Sequence, residues 1–199
     1  LSFRSYCGGF PKIENAFRYK FSWSPLGVLR ALRSPARALK EGLVREVPRV
    51  WEAIERFTVE GPAGAESFEA YPNRDSMPYV GEYGFDAAWP LQTFVRGTLR
   101  LGGWSLAWQD IFAKVGALSD AELATLADEL WRAHQYGEGE PDRVVLYVGL
   151  RATRHDGSVV FDRASVMDEA GTTERSAMGA LVSLPATFAV DDVRAGRVG

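Results

Sequence analysis

Three arginines, by type and spacing, are the residues of this chain best suited to chemistry. The loop Asn73-Arg74-Asp75-Ser76 follows a short alternating run, Ser67–Tyr71, and leads into Pro78. Arg74 offers a planar fork that matches a carboxylate with two hydrogen bonds. A helix starting just after it would add backbone N–H donors of its own. Arg96 and Arg100 stand with Thr98 on one face of the alternating segment Thr93–Leu101. Together they could hold a ligand with more than one carboxylate. Each feature also has a plainer reading. The loop can be a capped corner, and the two arginines can cover a solvated sheet face.

The remaining reactive residues point to less. Cys7, beside Gly8-Gly9, reads as a small buried apolar residue. His134 falls on an apolar helical stripe near a helix end, and His155 lies in a turn. Trp23, Trp51, Trp89, Trp104, Trp108 and Trp131 read as core or interface. One cysteine and two histidines make a zinc site from soft ligands a poor fit. No Ser-His-Asp order and no paired-carboxylate signature stands out.

Composition narrows the classes further. The 199 residues suit one domain with a sizeable core, or one domain and part of a second. A net charge of −3 argues against a nucleic-acid footprint. No apolar run approaches the ~18 residues of a membrane span. A single cysteine allows no internal disulfide, which fits a reducing, cytoplasmic setting. The chain opens on Leu1 within a glycine-rich stretch and stops at "AGRVG", so it reads as a piece of a longer protein. No G-x-G-x-x-G follows a strand, so a dinucleotide fold is not expected within it.

The elements that must position these residues follow from periodicity. Leu1–Lys20 reads as loop, and Tyr19–Ser24 as a short strand or extended segment. Ser24 caps a helix with Pro25 in its first turn. "SPARALKEG" repeats that start signal, with Gly42 as its stop. Leu43–Val59 is ambiguous between strand and helix. Asp75 or Ser76 can cap a helix near Met77. Ser105–Val115 reads as helix. Ser119 and Glu122 form a capping box for the clearest helix, which carries Leu123, Leu126, Ala127, Leu130 and Trp131 on one stripe. Two strands flank His155-Asp156-Gly157 as a hairpin. The run Val144–Leu150 suggests a strand covered on both faces. Glu174–Ala195 is helical in pattern, kinked or split at Pro185, and apolar enough to leave an exposed patch that favours association. These elements do not alternate as βαβ units. An α+β domain with a mixed or largely antiparallel sheet packed by helices is expected.

Several segments together resemble the saccharopine dehydrogenase family. They run from "SYCGGFP" through "YKFSWSPLGV", "FEAYPNRDS" and "VRGTLRLGGW" to "SAMGALVSLPATFAV". "SYCGG", "YKFSWS" and "YPNRDS" point to the glutamate-forming branch. The resemblance implies that residues 1–199 are a C-terminal substrate-binding and dimerisation domain, similar to the catalytic domain of glyceraldehyde-3-phosphate dehydrogenase. An N-terminal Rossmann domain would lie outside them. It implies hydride transfer between NADP or NAD and the carbon of a secondary amine or imine, on an amino-acid substrate, in a homodimer. The cofactor would belong to the nucleotide domain, with none expected here, and no catalytic residue is assigned. Members of this branch commonly carry an arginine where this chain has Leu26. The next substrate-contacting stretch falls at Val47-Pro48-Arg49. Arg49 or Arg30 could replace the missing charge. A non-catalytic dimerisation or ligand-sensing module is the second reading that Leu26 raises.

Overall fold

The computed structural model describes residues 1–197. In chain order the elements are β1 (Ser2–Pro11), α1 (Pro25–Arg33), β2 (Ala36–Lys40), β3 (Leu43–Val47), a 3-10 turn (Val50–Ala53), β4 (Glu55–Gly61) and β5 (Gly64–Pro72). Then come α2 (Pro78–Glu82), β6 (Thr93–Leu101), α3 (Trp104–Ala107), α4 (Gln109–Val115), α5 (Asp120–His134), β7 (Asp142–Thr153), β8 (Val159–Ala170) and α6 (Ala177–Arg194).

The eight strands form one sheet in the order β3-β2-β6-β1-β7-β8, with the β4–β5 hairpin joined to the far half of β6. Only β1 and β6 run parallel; the other paired strands are antiparallel. The sheet curls, so that β4 comes back against β8. Arg143 of β7 closes this curl, donating to both Glu66 of β5 and Asp168 of β8. Inside it pack Tyr6, Phe10, Phe68, Val95 and Leu99. The α+β expectation, with a mixed and mostly antiparallel sheet, matches this architecture.

Strong local signals fold as read. The Ser119–Glu122 capping box is present at the start of α5, and Ser24 caps α1. Four stretches differ. Leu1–Lys20 is not all loop, because Ser2–Pro11 is a central strand between β6 and β7. Its glycines serve close packing rather than a turn: a Cβ on Gly8 would meet the Phe10 ring at 2.4 Å and the Leu99 carbonyl at 2.5 Å. "SPARALKEG" is not a second helix. Glu41 and Gly42 both take positive φ, 54° and 72°, making the two-residue turn of a β2–β3 hairpin. Tyr19–Ser24 contributes a single bridge, Phe21 to Gln135, rather than a strand. The Ser105–Val115 helix divides into α3 and α4 at Trp108.

The helices α1, α3, α4 and α5 cover one part of the sheet. Their core holds Trp104, Trp108, Phe21, Leu29 and Leu123. At the far end of the same face, Phe3, Leu39 and Phe94 meet Tyr79, Val80 and Phe85 around α2. Between these two clusters the sheet face is left open, and there the cleft forms. The last helix, α6, runs unbroken through Pro185. Asp142 anchors its start, accepting from the Ala177 and Met178 amides. Past Leu181 it leaves the body, with Val182, Phe188 and Val193 all more than 60 % exposed. The exposed patch expected of this segment is therefore present. No described helix is long and apolar enough to cross a membrane.

Candidate functional site

The cleft has a volume of about 770 Å³ and opens on the sheet face between the two clusters. Register explains its floor. Ser5 pairs with Arg96, and Cys7 with Thr98, across the parallel β1–β6 pair; Tyr71 pairs with Thr98 from β5. Paired residues share a face, so Cys7, Arg96, Thr98, Arg100 and Tyr71 converge. Gly9 continues the floor, where a Cβ would meet only the Met178 tip, at 2.7 Å.

Arg100 is the deepest charge, 8 % exposed. Its Nε donates to the Tyr71 hydroxyl at 3.2 Å. Its guanidinium carbon lies 4.7 Å from the Tyr19 ring centre and 5.1 Å from that of Trp104. Burial opposes its charge, yet the Tyr71 and Tyr19 oxygens raise its pKa on balance. Burial in turn raises the Tyr71 hydroxyl, against the pull of Arg100. No carboxylate pairs with Arg100 among the described residues. An uncompensated buried cation is costly, so this geometry is poised for an anion.

Arg96 is half-buried, its guanidinium carbon 3.5 Å above the centre of the Tyr79 ring of α2. Stacking holds the fork flat and leaves its edge free for an acceptor. The corner beside it is built by hydrogen bonds to two neighbouring strands. The Asn73 amide donates to the Arg96 carbonyl, and the Arg37 amide to the Arg74 carbonyl. Buried Ser76 accepts from the Arg96 amide at 3.0 Å. Asp75 accepts from the Met77 amide and pairs with Arg37 at 2.8 Å. Arg74 takes φ +54°, an uncommon conformation for a residue with a side chain. The loop is thus a hydrogen-bonded corner rather than a side-chain cap, since Met77 and not Asp75 or Ser76 stands at the start of α2, and it also places exposed Asn73 and Arg74 on the cleft rim.

The structure brings together Asn73, Arg74, Arg96 and Arg100, and keeps four other candidates apart. Leu26 packs toward α5. Val47 packs against the helical core. Pro48 and Arg49 line a wider hollow of about 1150 Å³ on the outer side, with Trp51 and Gln109. There Arg49 is paired with Glu52 at 3.1 Å, and Arg33 with Asp120 at 3.4 Å. Neither Arg30 nor Arg49 lines the cleft. Among the described residues no group of His, Cys, Asp or Glu is arranged to hold a metal.

Four groups of the cleft carried no signal of their role. Tyr19 and Tyr71 cage Arg100, Trp23 forms a wall, and Met178 reaches in from α6. Cys7 is exposed to the cleft rather than buried. The protein crowding its other sides pushes the thiol pKa up, with Arg100 pulling it down. His134 behaves as read, stacked on Phe17 with ring centres 3.7 Å apart.

Comparison with known proteins supplies the context of this cleft. Alpha-aminoadipic semialdehyde synthase of mouse, a mitochondrial protein by its name, is 40% identical over 131 residues, covering 64% of this chain and 14% of the relative. Saccharopine dehydrogenase [NADP(+), L-glutamate-forming] of Schizosaccharomyces pombe is 31% identical over 182 residues, covering 75% of this chain and 39% of the relative. The chain thus spans well under half the length of these relatives. The solved structure of apo saccharopine dehydrogenase (L-Glu forming) from Saccharomyces cerevisiae superposes with a TM-score of 0.77 at 26% identity, covering 98% of this chain and 59% of that one. The saccharopine dehydrogenase C-terminal domain matches residues 1–199 in full, and the chain belongs to that family.

Proposed function

We propose that residues 1–199 are the substrate-binding and dimerisation domain of a saccharopine-dehydrogenase-like, NAD(P)-dependent oxidoreductase acting on the CH–NH group of an amino-acid substrate. The observation that carries this reading is the set of guanidinium groups in one cleft that pair with no carboxylate among the described residues, within a chain of this family. Arg100 holds a carboxylate at the floor. Arg96 holds a second group about 13 Å along the strand, at ~3.3 Å per residue. Arg74 and Asn73 close the rim.

The nicotinamide would supply the hydride chemistry, and it would be held by another domain. The nearest thing here to a phosphate-binding turn is Gly102-Gly103, between β6 and α3. Its Gly103 and Ser105 amides already donate to the Glu69 carboxylate at 2.8 and 2.7 Å. A pyrophosphate would meet a negative charge there, so this turn does not fit the cofactor's phosphates. The work of this chain's residues is to bind and orient the substrate and to hold its carboxylates out of water. The apolar outer face of α6 and the exposed Val159, Val160 and Phe161 of β8 offer surface for association. A similarity of the fold to glyceraldehyde-3-phosphate dehydrogenase's catalytic domain belongs to the same reading.

The non-catalytic module rested on Leu26. With Leu26 packed toward α5 and away from the cleft, its lack of charge does not weaken carboxylate binding there. Calorimetric titration of the full-length polypeptide with saccharopine tests the assignment. Arg74→Ala and Arg96→Ala should each lower affinity. Unchanged affinity in folded variants would make these arginines structural.

A further inference from the structure

A second hollow, of about 380 Å³, lies between α1 and α5. Its lining includes Trp23, Leu26, Ala124, Ala127, Asp128 and Trp131. On α5, Ala127 and Asp128 each lie three or four residues from both Ala124 and Trp131, so the four share a stripe. The two alanines leave room, and Trp131 stands at one end of the stripe. Trp23 comes from the segment before α1. Its indole lies against Gly27, where a Cβ would meet Cζ3 at 2.6 Å.

Two properties give this hollow a chemistry. Trp23 is 49% exposed and Trp131 38%, whereas Trp104 and Trp108 are fully buried. Exposed tryptophans on one concavity mark a contact surface, since indole is costly to leave in water. Asp128 is the one charged residue of the lining, and it pairs with no cation among the described residues. Arg132, four residues further along α5, forms no ion pair with it among the described residues, and Arg33, at the other end of α1 from Leu26, pairs with Asp120. Indole faces attract cations more strongly than other aromatic rings do, and a free carboxylate beside them excludes anions. The volume is at the low end of the roughly 300–1,000 Å³ of ligand pockets, which suits a small ligand with a short aliphatic stem.

We propose that this hollow binds a small organic cation, an alkylammonium or alkylguanidinium group, with its stem on Leu26 and the alanines and its charge between the indoles and Asp128. The site is separate from the arginine cleft and does not rest on the oxidoreductase reading. Trp23 lines both, so a bound cation touches a wall of the cleft.

The test is fluorine NMR of the full-length polypeptide labelled with fluorotryptophan, with Trp23 and Trp131 assigned by Trp→Phe variants. The probes are n-butylammonium and butylguanidinium, with butanol and butyrate as controls. The cations should shift both signals saturably at millimolar concentration. Asp128→Asn should weaken binding about 1.5- to fivefold, the range of an exposed ion pair, and Asp128→Glu should restore it. Equal shifts from butanol, no shift from either cation, or unchanged affinity in Asp128→Asn would each overturn the proposal.

Discussion

Replacing Arg100 by methionine separates the requirements of folding from those of binding. Arg100 is buried among Tyr19, Tyr71 and Trp104 with one hydrogen bond and no carboxylate partner. Removing it forfeits cation–π contacts worth about 0.5–2 kcal/mol each. It also removes a donor from the Tyr71 hydroxyl, at about 1–3 kcal/mol. Against this stands relief of the desolvation penalty, several kcal/mol for a buried ion. Methionine fills similar volume and adapts to irregular space. The terms oppose each other, so the folding stability of Arg100→Met should stay within about 2 kcal/mol of the wild type. Ligand binding has no such offset. A charge-assisted hydrogen bond to a carboxylate is worth about 1.5–3 kcal/mol, so affinity should fall about 10- to 150-fold. Urea denaturation gives the first quantity, and titration of the full-length polypeptide with saccharopine gives the second. A variant that loses much stability and binds normally would refute the reasoning. It would make Arg100 a structural cation.

Three further outcomes follow from other parts of the fold. Asp142→Ala strips the acceptor from the Ala177 and Met178 amides, at a cost of about 1–3 kcal/mol; hydrogen exchange of those two amides should speed up before the rest of the sheet changes. Arg143→Met breaks the Glu66–Arg143–Asp168 closure, at about 1–3 kcal/mol in denaturant titrations. The hydrogen bond from Arg143 holds the Asp168 carboxyl below its ordinary value of 3.8, despite opposing burial. That contribution is complete above about pH 4 and is lost as pH falls through the lower folded value, so the variant should show a flatter acid limb. Burial, with Lys20 nearby, lowers the His134 pKa from its ordinary 6.5. The fold therefore favours the neutral ring, and stability should decline gently as pH drops below 6.5, a slope that His134→Gln should remove.

The sequence was most legible where local chemistry and tertiary contacts agree. The Ser119–Glu122 box, the alternation of Thr93–Leu101 and the turn at His155-Asp156-Gly157 each carry their own geometry. It was least legible where partners decide. Ser2–Pro11 is a strand because β6 and β7 supply hydrogen bonds on both sides, and its glycines looked like loop residues. Ala36–Lys40 has helix-forming composition but is claimed by the β2–β3 hairpin. The cleft shows the same division. Arg74, Arg96 and Arg100 could be read from residue type and strand face. Tyr19 and Met178 could not, because they arrive from segments distant in sequence. Cys7 was misread for the same reason, since its exposure depends on the helices leaving that face open.

The role proposed for this chain is the substrate-holding part of an NAD(P)-dependent oxidoreductase. It is tested most directly by turnover of saccharopine with NADP+ or NAD+, followed through the absorbance of the reduced nicotinamide. The full-length polypeptide should reduce the cofactor, residues 1–199 alone should not, and Arg100→Met in the full-length protein should lower kcat/KM. Turnover by residues 1–199 alone, or no turnover of saccharopine by the full-length protein with either cofactor, would contradict the account.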